Sequence, residues 1–276
     1  MSEVDHDPTL ARIAAALERI APSESAPVNW LAHPAYVWEG GQARALDAFD
    51  ALSLDQLLGI DEQKTAITTN LDRLAQGAAA HDMLLWGARG MGKSALVRAA
   101  VKAQQSAKLD SIALVQLSVQ HLSSLPALIA QLSEIDRAFV LFIDDLGFGE
   151  GAAQDNLALR SVLDGGLTPR PAHIRLAVTS NRRAITRRDG EEAGALHERD
   201  ERDNALALAD RFGLTLGFHP CDRATFLEIL RTYLDPIGLT FVEEEALAFA
   251  IARGNRSGRT AHQFATEIAG RAGKLL

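Results

Sequence analysis

The segment Gly87-Ala88-Arg89-Gly90-Met91-Gly92-Lys93-Ser94 fits G-x-x-x-x-G-K-[ST] at every fixed position. Few short motifs constrain a fold as tightly, because this loop works only between a strand and the first turn of a helix. The flanks match. Met83-Leu84-Leu85-Trp86 is a continuous apolar run, and Ala95-Leu96-Val97-Arg98-Ala99-Ala100-Val101 carries its apolar residues at helical spacing. In that setting the glycines turn backbone N–H groups inward around phosphate oxygens, and the helix start adds its positive dipole end. Lys93 brings a charge to the outer phosphates and Ser94 a hydroxyl for magnesium. With Ala88, Arg89, Met91 and Ala95 completing the cradle, the segment implies a chain that binds a nucleoside triphosphate.

Composition sets outer bounds. With 276 residues, 47% of them hydrophobic, the chain can bury one large core, or a core and a small satellite domain. No apolar run approaches the roughly 18 residues needed to cross a bilayer, and Met1-Ser2-Glu3-Val4-Asp5 is unlike a signal peptide. A cytoplasmic protein without a membrane partner is therefore expected. Cys221 is the single cysteine, which excludes an intramolecular disulfide and a cysteine-built zinc site and suits a reducing compartment. The net charge of -8 disfavours strong sequence-independent binding to nucleic acid, although a local basic surface stays open. G-x-S-x-G is absent and the eight histidines show no ligand spacing, so serine-hydrolase and zinc chemistry have no motif.

The patterning divides the chain into an N-terminal extension over 1–50, an α/β domain over 51–219 and a helical region over 220–276. In the extension, Asp7 and Pro8 open a helix bearing Leu10, Ile13, Leu17 and Ile20, and Pro22 ends it. Trp30, His33, Tyr36 and Trp38 then crowd together in a chain otherwise poor in aromatics. They either pack on the following domain, the simpler reading, or form a partner-binding patch. Ser53 and Gln56 have capping-box spacing, Leu57-Leu58-Gly59-Ile60 is a short apolar turn, and Asp61 is expected to cap a helix carrying Ile67, Leu71 and Leu74. Five strand-like runs follow: Met83 to Trp86, Ile112 to Leu117, Phe139 to Ile143, Ile174 to Thr179 and Leu214 to Phe218. They are nearly continuous in apolar residues and alternate with helical patterns, including Leu125 to Ile135 and Ala153 to Leu163. That is the pattern of a doubly wound domain around a parallel sheet. Arg182 to Asp203 mixes arginine and acid, as a solvated surface or a subunit-contact loop would. After Pro220 three helices are expected: one opened by Asp222 with Phe226, Ile229, Leu230 and Tyr233, then Glu243 to Ala252, then Thr260 to Ala272.

The loop needs a metal partner, and Phe139-Val140-Leu141-Phe142-Ile143-Asp144-Asp145 has the form of one. A buried strand holds Asp144 rigidly where it can reach magnesium through water. Asp145 stands where a carboxylate commonly polarises the attacking water. It is one methylene shorter than glutamate, so slow hydrolysis is one expectation. Glu150, after Gly147-Phe148-Gly149, is the reserve candidate.

The order of these parts resembles the AAA+ ATPases from Leu57 to the C-terminus. The resemblance implies a P-loop AAA+ module with a five-stranded parallel sheet and a small C-terminal three-helix lid, ATP and Mg2+ as ligands, and assembly into a homo-oligomer. Ala177-Val178-Thr179-Ser180-Asn181 looks like sensor 1, with Asn181 at its tip. Asp210-Arg211-Phe212-Gly213 looks like the box of the arginine finger, which implies that Arg211 acts across subunits. Arg256-Ser257-Gly258-Arg259 resembles sensor 2, with Arg259 the better match, and Leu58 and Ile60 fall in the turn beside adenine. The local alternatives are a loop cap for Asn181, a pair with Asp210 for Arg211, and a pair with Glu243 to Glu245 for Arg259, with Arg256 as its rival. More narrowly, Phe-Ile-Asp-Asp-Leu, Thr-Ser-Asn-Arg-Arg, Asp-Arg-Phe-Gly-Leu and Arg-Ser-Gly-Arg resemble a bacterial AAA+ family, domain-of-unknown-function family 815. The implied activity is Mg-dependent ATP hydrolysis that remodels a protein client, with a nucleotide-dependent binding switch or loader as the alternative. ATP is expected over GTP because no Asn-Lys-x-Asp motif follows the strands. Ser118 to Ser124 lacks the aromatic-apolar-glycine tip of protein-threading loops, and no helix-turn-helix is appended for DNA.

Overall fold

The strand Ala138–Ile143 is buried at every position, with Phe139, Leu141 and Ile143 on one face and Ala138, Val140 and Phe142 on the other. Such a strand needs a packed layer on each side. The computed structural model describes residues 28–147, 153–165, 169–181 and 207–276, and in it both layers are present. The expected helix over Leu10 to Ile20, Glu150 and the mixed-charge segment Arg182 to Asp203 lie outside the described residues.

The described strands are β1 (Ala35–Glu39), β2 (Gln42–Leu46), β3 (Met83–Gly87), β4 (Ile112–Leu117), β5 (Ala138–Ile143), β6 (Ile174–Ser180) and β7 (Leu214–Phe218). They form a seven-stranded sheet in the order β2-β1-β4-β5-β6-β3-β7, parallel except for β2. On one face lie helices α1 (Asp61–Ala75) and α2 (Lys93–Ala107), through Ile67, Leu71, Leu74, Leu96, Val97 and Val101. On the other lie α3 (Leu125–Leu132) and α4 (Ala153–Leu163), through Leu125, Leu128, Leu132 and Leu159.

The five expected strands are all present, and the count of five is corrected to seven. The two additions come from the aromatic stretch. In β1, Tyr36 and Trp38 lie two residues apart and so share a face, where both are fully buried with Trp30 against Phe139. Gly40 and Gly41, at φ 59° and 100°, make the tight turn into β2. The aromatics thus pack as core. Arg137 ties this edge down from beneath: Nη1 donates to the carbonyls of Trp30 and His33, and Nη2 to those of Leu109 and Ile112.

A second correction concerns α1, whose N-cap is Ile60, with Asp61 as the first helical residue. The acid there faces the positive end of the helix dipole and pairs with Lys64. The C-terminal helices are α5 (Arg223–Leu234), α6 (Glu243–Ala252) and α7 (Gly258–Arg271). The Asp222 carboxylate accepts from the Thr225 N–H and the Ser257 hydroxyl from the Thr260 N–H, so each cap satisfies an N–H left over at a helix start. Ala246, Ala250, Ala261 and Ala265 bring the helices close around Phe226, Leu230 and Phe264. No helix among the described residues is long and apolar enough to cross a membrane.

Candidate nucleotide-binding site

β5, β6 and β3 are neighbours in the sheet, so their carboxyl ends bring Asp144, Asp145, Asn181 and the phosphate loop together. Ligands in open α/β sheets bind at such ends. The loop leaves β3 at Gly87 and enters α2 at Lys93. Gly87, at φ 134°, has no room for a side chain, because a Cβ there would lie 2.0 Å from the Phe218 carbonyl oxygen. Lys93 is 6% exposed, and its Nζ donates to the carbonyls of Gly87 (2.9 Å) and Ala88 (2.8 Å) and to Asn181 Oδ1 (3.0 Å). Burial pushes its ammonium down to about 8, against the pull of Asp145 and Asp144; Arg259 and Arg89 lower it further.

The acids follow at once. Ser94 Oγ donates to Asp144 Oδ1 at 2.6 Å, and Thr179 Oγ1 donates to the same oxygen at 2.5 Å. A hydroxyl and a carboxylate converging on one point form a hard-oxygen pair, the donor type magnesium takes. Among the described residues no group of three or more histidines, cysteines or acids is gathered. Asp145 adopts φ 58°, a left-handed conformation that costs an L-residue about 1–2 kcal/mol but that aspartate tolerates better than most. Its N–H is held by Thr179 Oγ1 at 2.9 Å, and its carboxylate points into the cleft. One carboxylate oxygen accepts from Asn181 Nδ2; the other lies 3.7 Å from Arg89 Nη2. Asn181 therefore bridges Lys93 and Asp145.

The loop opens into a cleft of about 580 Å³, within the range of small-molecule sites. Its walls also include Leu58, Ile60, His219, Ile229, Tyr233 and His262. Leu58 and Ile60 were legible in the sequence; Tyr233 was read only as a core position and the histidines not at all. Tyr233 and His262 meet edge to face at 5.2 Å in the cleft wall. Cys221 lines the same cleft, its thiol pushed up by burial.

The C-terminal helices touch the loop directly. The Arg259 N–H donates to the Gly90 carbonyl at 3.2 Å, and a Cβ on Gly90, at φ 79°, would meet Ser257 Oγ at 2.8 Å and Arg259 Cβ at 2.9 Å. Arg259 lines the cleft, whereas Arg256 does not and instead donates to the Cys221 carbonyl. Two of the three glutamates considered as partners for Arg259 are engaged elsewhere, Glu243 with Arg223 and Arg231 and Glu245 with Arg271. Arg211 is not among the cleft-lining residues. It makes a two-pronged pair with Asp164, Nε to Oδ1 at 2.5 Å and Nη2 to Oδ2 at 3.2 Å, in place of the local pair with Asp210. The hydrogen bond from Arg211 holds the Asp164 carboxyl below the usual carboxylate range.

The sequence matches the family described as "Protein of unknown function (DUF815)" over residues 31–272. A search of curated proteins finds no match. Among solved structures, a Thermotoga maritima RuvB variant is similar with a TM-score of 0.51 at 19% identity, over 78% of this chain and 63% of the RuvB chain. Aeropyrum pernix Orc1, solved in complex with DNA, is similar with a TM-score of 0.55 at 17% identity, over 82% of this chain and 63% of that one. The chain therefore spans less than two thirds of these neighbours' length. At such identities the likeness shows a shared fold, the P-loop AAA+ fold.

Proposed function

The chain belongs to the DUF815 family and has the P-loop AAA+ fold, and on that premise we propose that it is a cytoplasmic, magnesium-dependent ATPase whose cycle remodels a protein partner. The observation that carries this reading is the convergence of Lys93, Ser94, Asp144, Asp145 and Asn181 on one end of a single cleft. Ser94 and Asp144 would hold magnesium, which would supply Lewis-acid polarisation of the phosphate oxygens. Asn181 positions a water whose oxygen forms a bond to the γ-phosphorus while the bond to the β,γ-bridging oxygen breaks. The products are ADP and inorganic phosphate, and Asp145 takes the proton that the water gives up. Negative charge spreading over the γ-phosphoryl oxygens is offset by Lys93, by Arg259 from the lid, and by Arg211 of a neighbouring copy. The net charge of -8 favours a protein client over DNA.

A specific contact favours a second reading, a nucleotide-dependent switch with slow turnover: both oxygens of Asp145 face protein groups, Asn181 and Arg89, and a base so engaged is a poor one. Lys93→Ala tests the shared premise. We expect ATP affinity and turnover to fall about 100-fold or more. Wild-type ATPase activity in that variant would overturn the site. Single-turnover kinetics then separate the readings, since steady turnover stimulated by a partner belongs to the ATPase and one slow turnover with retained nucleotide to the switch.

A further inference from the structure

Arg89, the third residue of the phosphate loop, is 71% exposed at its side chain, and its guanidinium lies 3.7 Å from Asp145. That separation is too long for a hydrogen bond, and an exposed ion pair of this kind is weak. The pair nevertheless fixes where the guanidinium stands. Arg89 meets Asp145, Asp145 meets Asn181, and Asn181 meets Lys93, so Arg89 belongs to the end of the cleft where Lys93 takes the outer phosphates. Leu58 and Tyr233, packed on the cluster of the C-terminal helices, line the same cleft. A γ-phosphate carries more negative charge than one carboxylate and offers geometry suited to a guanidinium fork.

We propose that Arg89 distinguishes a triphosphate from a diphosphate by exchanging Asp145 for the γ-phosphate. The inference rests on the nucleotide site proposed above. ADP, lacking the third phosphate, leaves Arg89 paired with Asp145. A triphosphate draws it away, and the carboxylate oxygen it faced becomes available to water. Arg89 is thus a specificity residue toward the γ-phosphate and a positioning residue toward Asp145.

The test uses the full chain with magnesium, ADP and the non-hydrolysable β,γ-imido analogue of ATP, measured by titration calorimetry. Arg89→Ala should weaken the analogue about tenfold and leave ADP within about twofold, with Arg89→Lys between. In the wild type, the Arg89 Nε–Hε resonance should move on adding the analogue and stay in place with ADP. Equal losses for both nucleotides, no loss for the analogue, or a resonance that moves equally with ADP would overturn the proposal. Lys93→Ala is the control: if it still binds both nucleotides, the site itself is wrong. If it binds neither while Arg89→Ala behaves as wild type, only the role of Arg89 falls. The Arg89 side chain is exposed, and an unchanged melting temperature of Arg89→Ala checks that the fold is kept.

Discussion

Two arginine–aspartate pairs stand in different parts of the molecule and are built differently. Inside the cleft, Arg89 and Asp145 are 3.7 Å apart, and the same carboxylate is shared with Asn181. Outside it, Arg211 grips Asp164 with two nitrogens on two oxygens, at 2.5 and 3.2 Å. The first pair can open for the price of a weak contact. The second satisfies the fork geometry of guanidinium and carboxylate, and opening it sacrifices two charge-assisted hydrogen bonds. A group meant to respond to its own ligand is best held loosely, whereas one meant to respond to a neighbour needs a resting partner that prevents stray contacts. The contrast matches the two roles proposed, Arg89 within the chain and Arg211 across a subunit boundary.

That contrast can be broken from either side, and the largest effect is expected at Arg211. Arg211→Ala should leave ATP binding intact and lower turnover about a thousandfold, measured by phosphate release. Mixing it with Asp145→Ala should restore part of the activity, since a copy with an intact Asp145 then meets a copy with an intact Arg211. No recovery on mixing, with a monomer by light scattering at all nucleotide concentrations, would leave Arg211 with its contacts inside the chain, to Asp164 and the Ala207 carbonyl. A smaller effect is expected at Asp164. Asp164→Ala frees the arginine and should raise turnover about two- to fivefold at subunit concentrations where assembly is incomplete. A fall in turnover would mean that Asp164 instead orients Arg211 for its task.

The cleft pair and the outer pair also differ in how far the amino-acid sequence announces them. Lys93, Ser94 and Asp144 were legible because phosphate and metal chemistry fix residue type at fixed spacing from a strand end. Arg89 occupies a position where that pattern accepts any residue, so its contact with Asp145 had no signal. Asp164 is invisible for another reason: its partner comes from a different part of the chain, and exposed ion pairs leave no periodic trace. The sheet shows the same division. The five strands expected from the sequence are largely apolar runs, while β1 alternates Tyr36 and Trp38 with less buried residues and reads as a scatter of aromatics. The Gly40-Gly41 pair between two short runs was the available hairpin signal. The contact of Tyr233 with His262 in the cleft wall was hidden because the two lie on separate helices and meet only once those helices are packed.

The smallest predicted effect bears on whether the outer pair persists in solution. The Asp164 carboxyl is held below an ordinary aspartate, near 3.9, by the hydrogen bond from Arg211. Because the folded value is the lower one, the unfolded chain binds this proton first as pH falls. The pair's contribution to stability is therefore fully present above about pH 4 and is lost as pH falls through the folded value. Carbon-detected NMR of the side-chain carboxyl should show Asp164 titrating below the ordinary range in the wild type and returning to it in Arg211→Ala. If nucleotide-driven assembly draws Arg211 away, adding the β,γ-imido analogue at high subunit concentration should shift the Asp164 titration upward in the same way. An Asp164 titration unchanged by the analogue, with assembly verified, would mean that Arg211 keeps its partner in the assembled state, and the proposed exchange at the subunit boundary would fall.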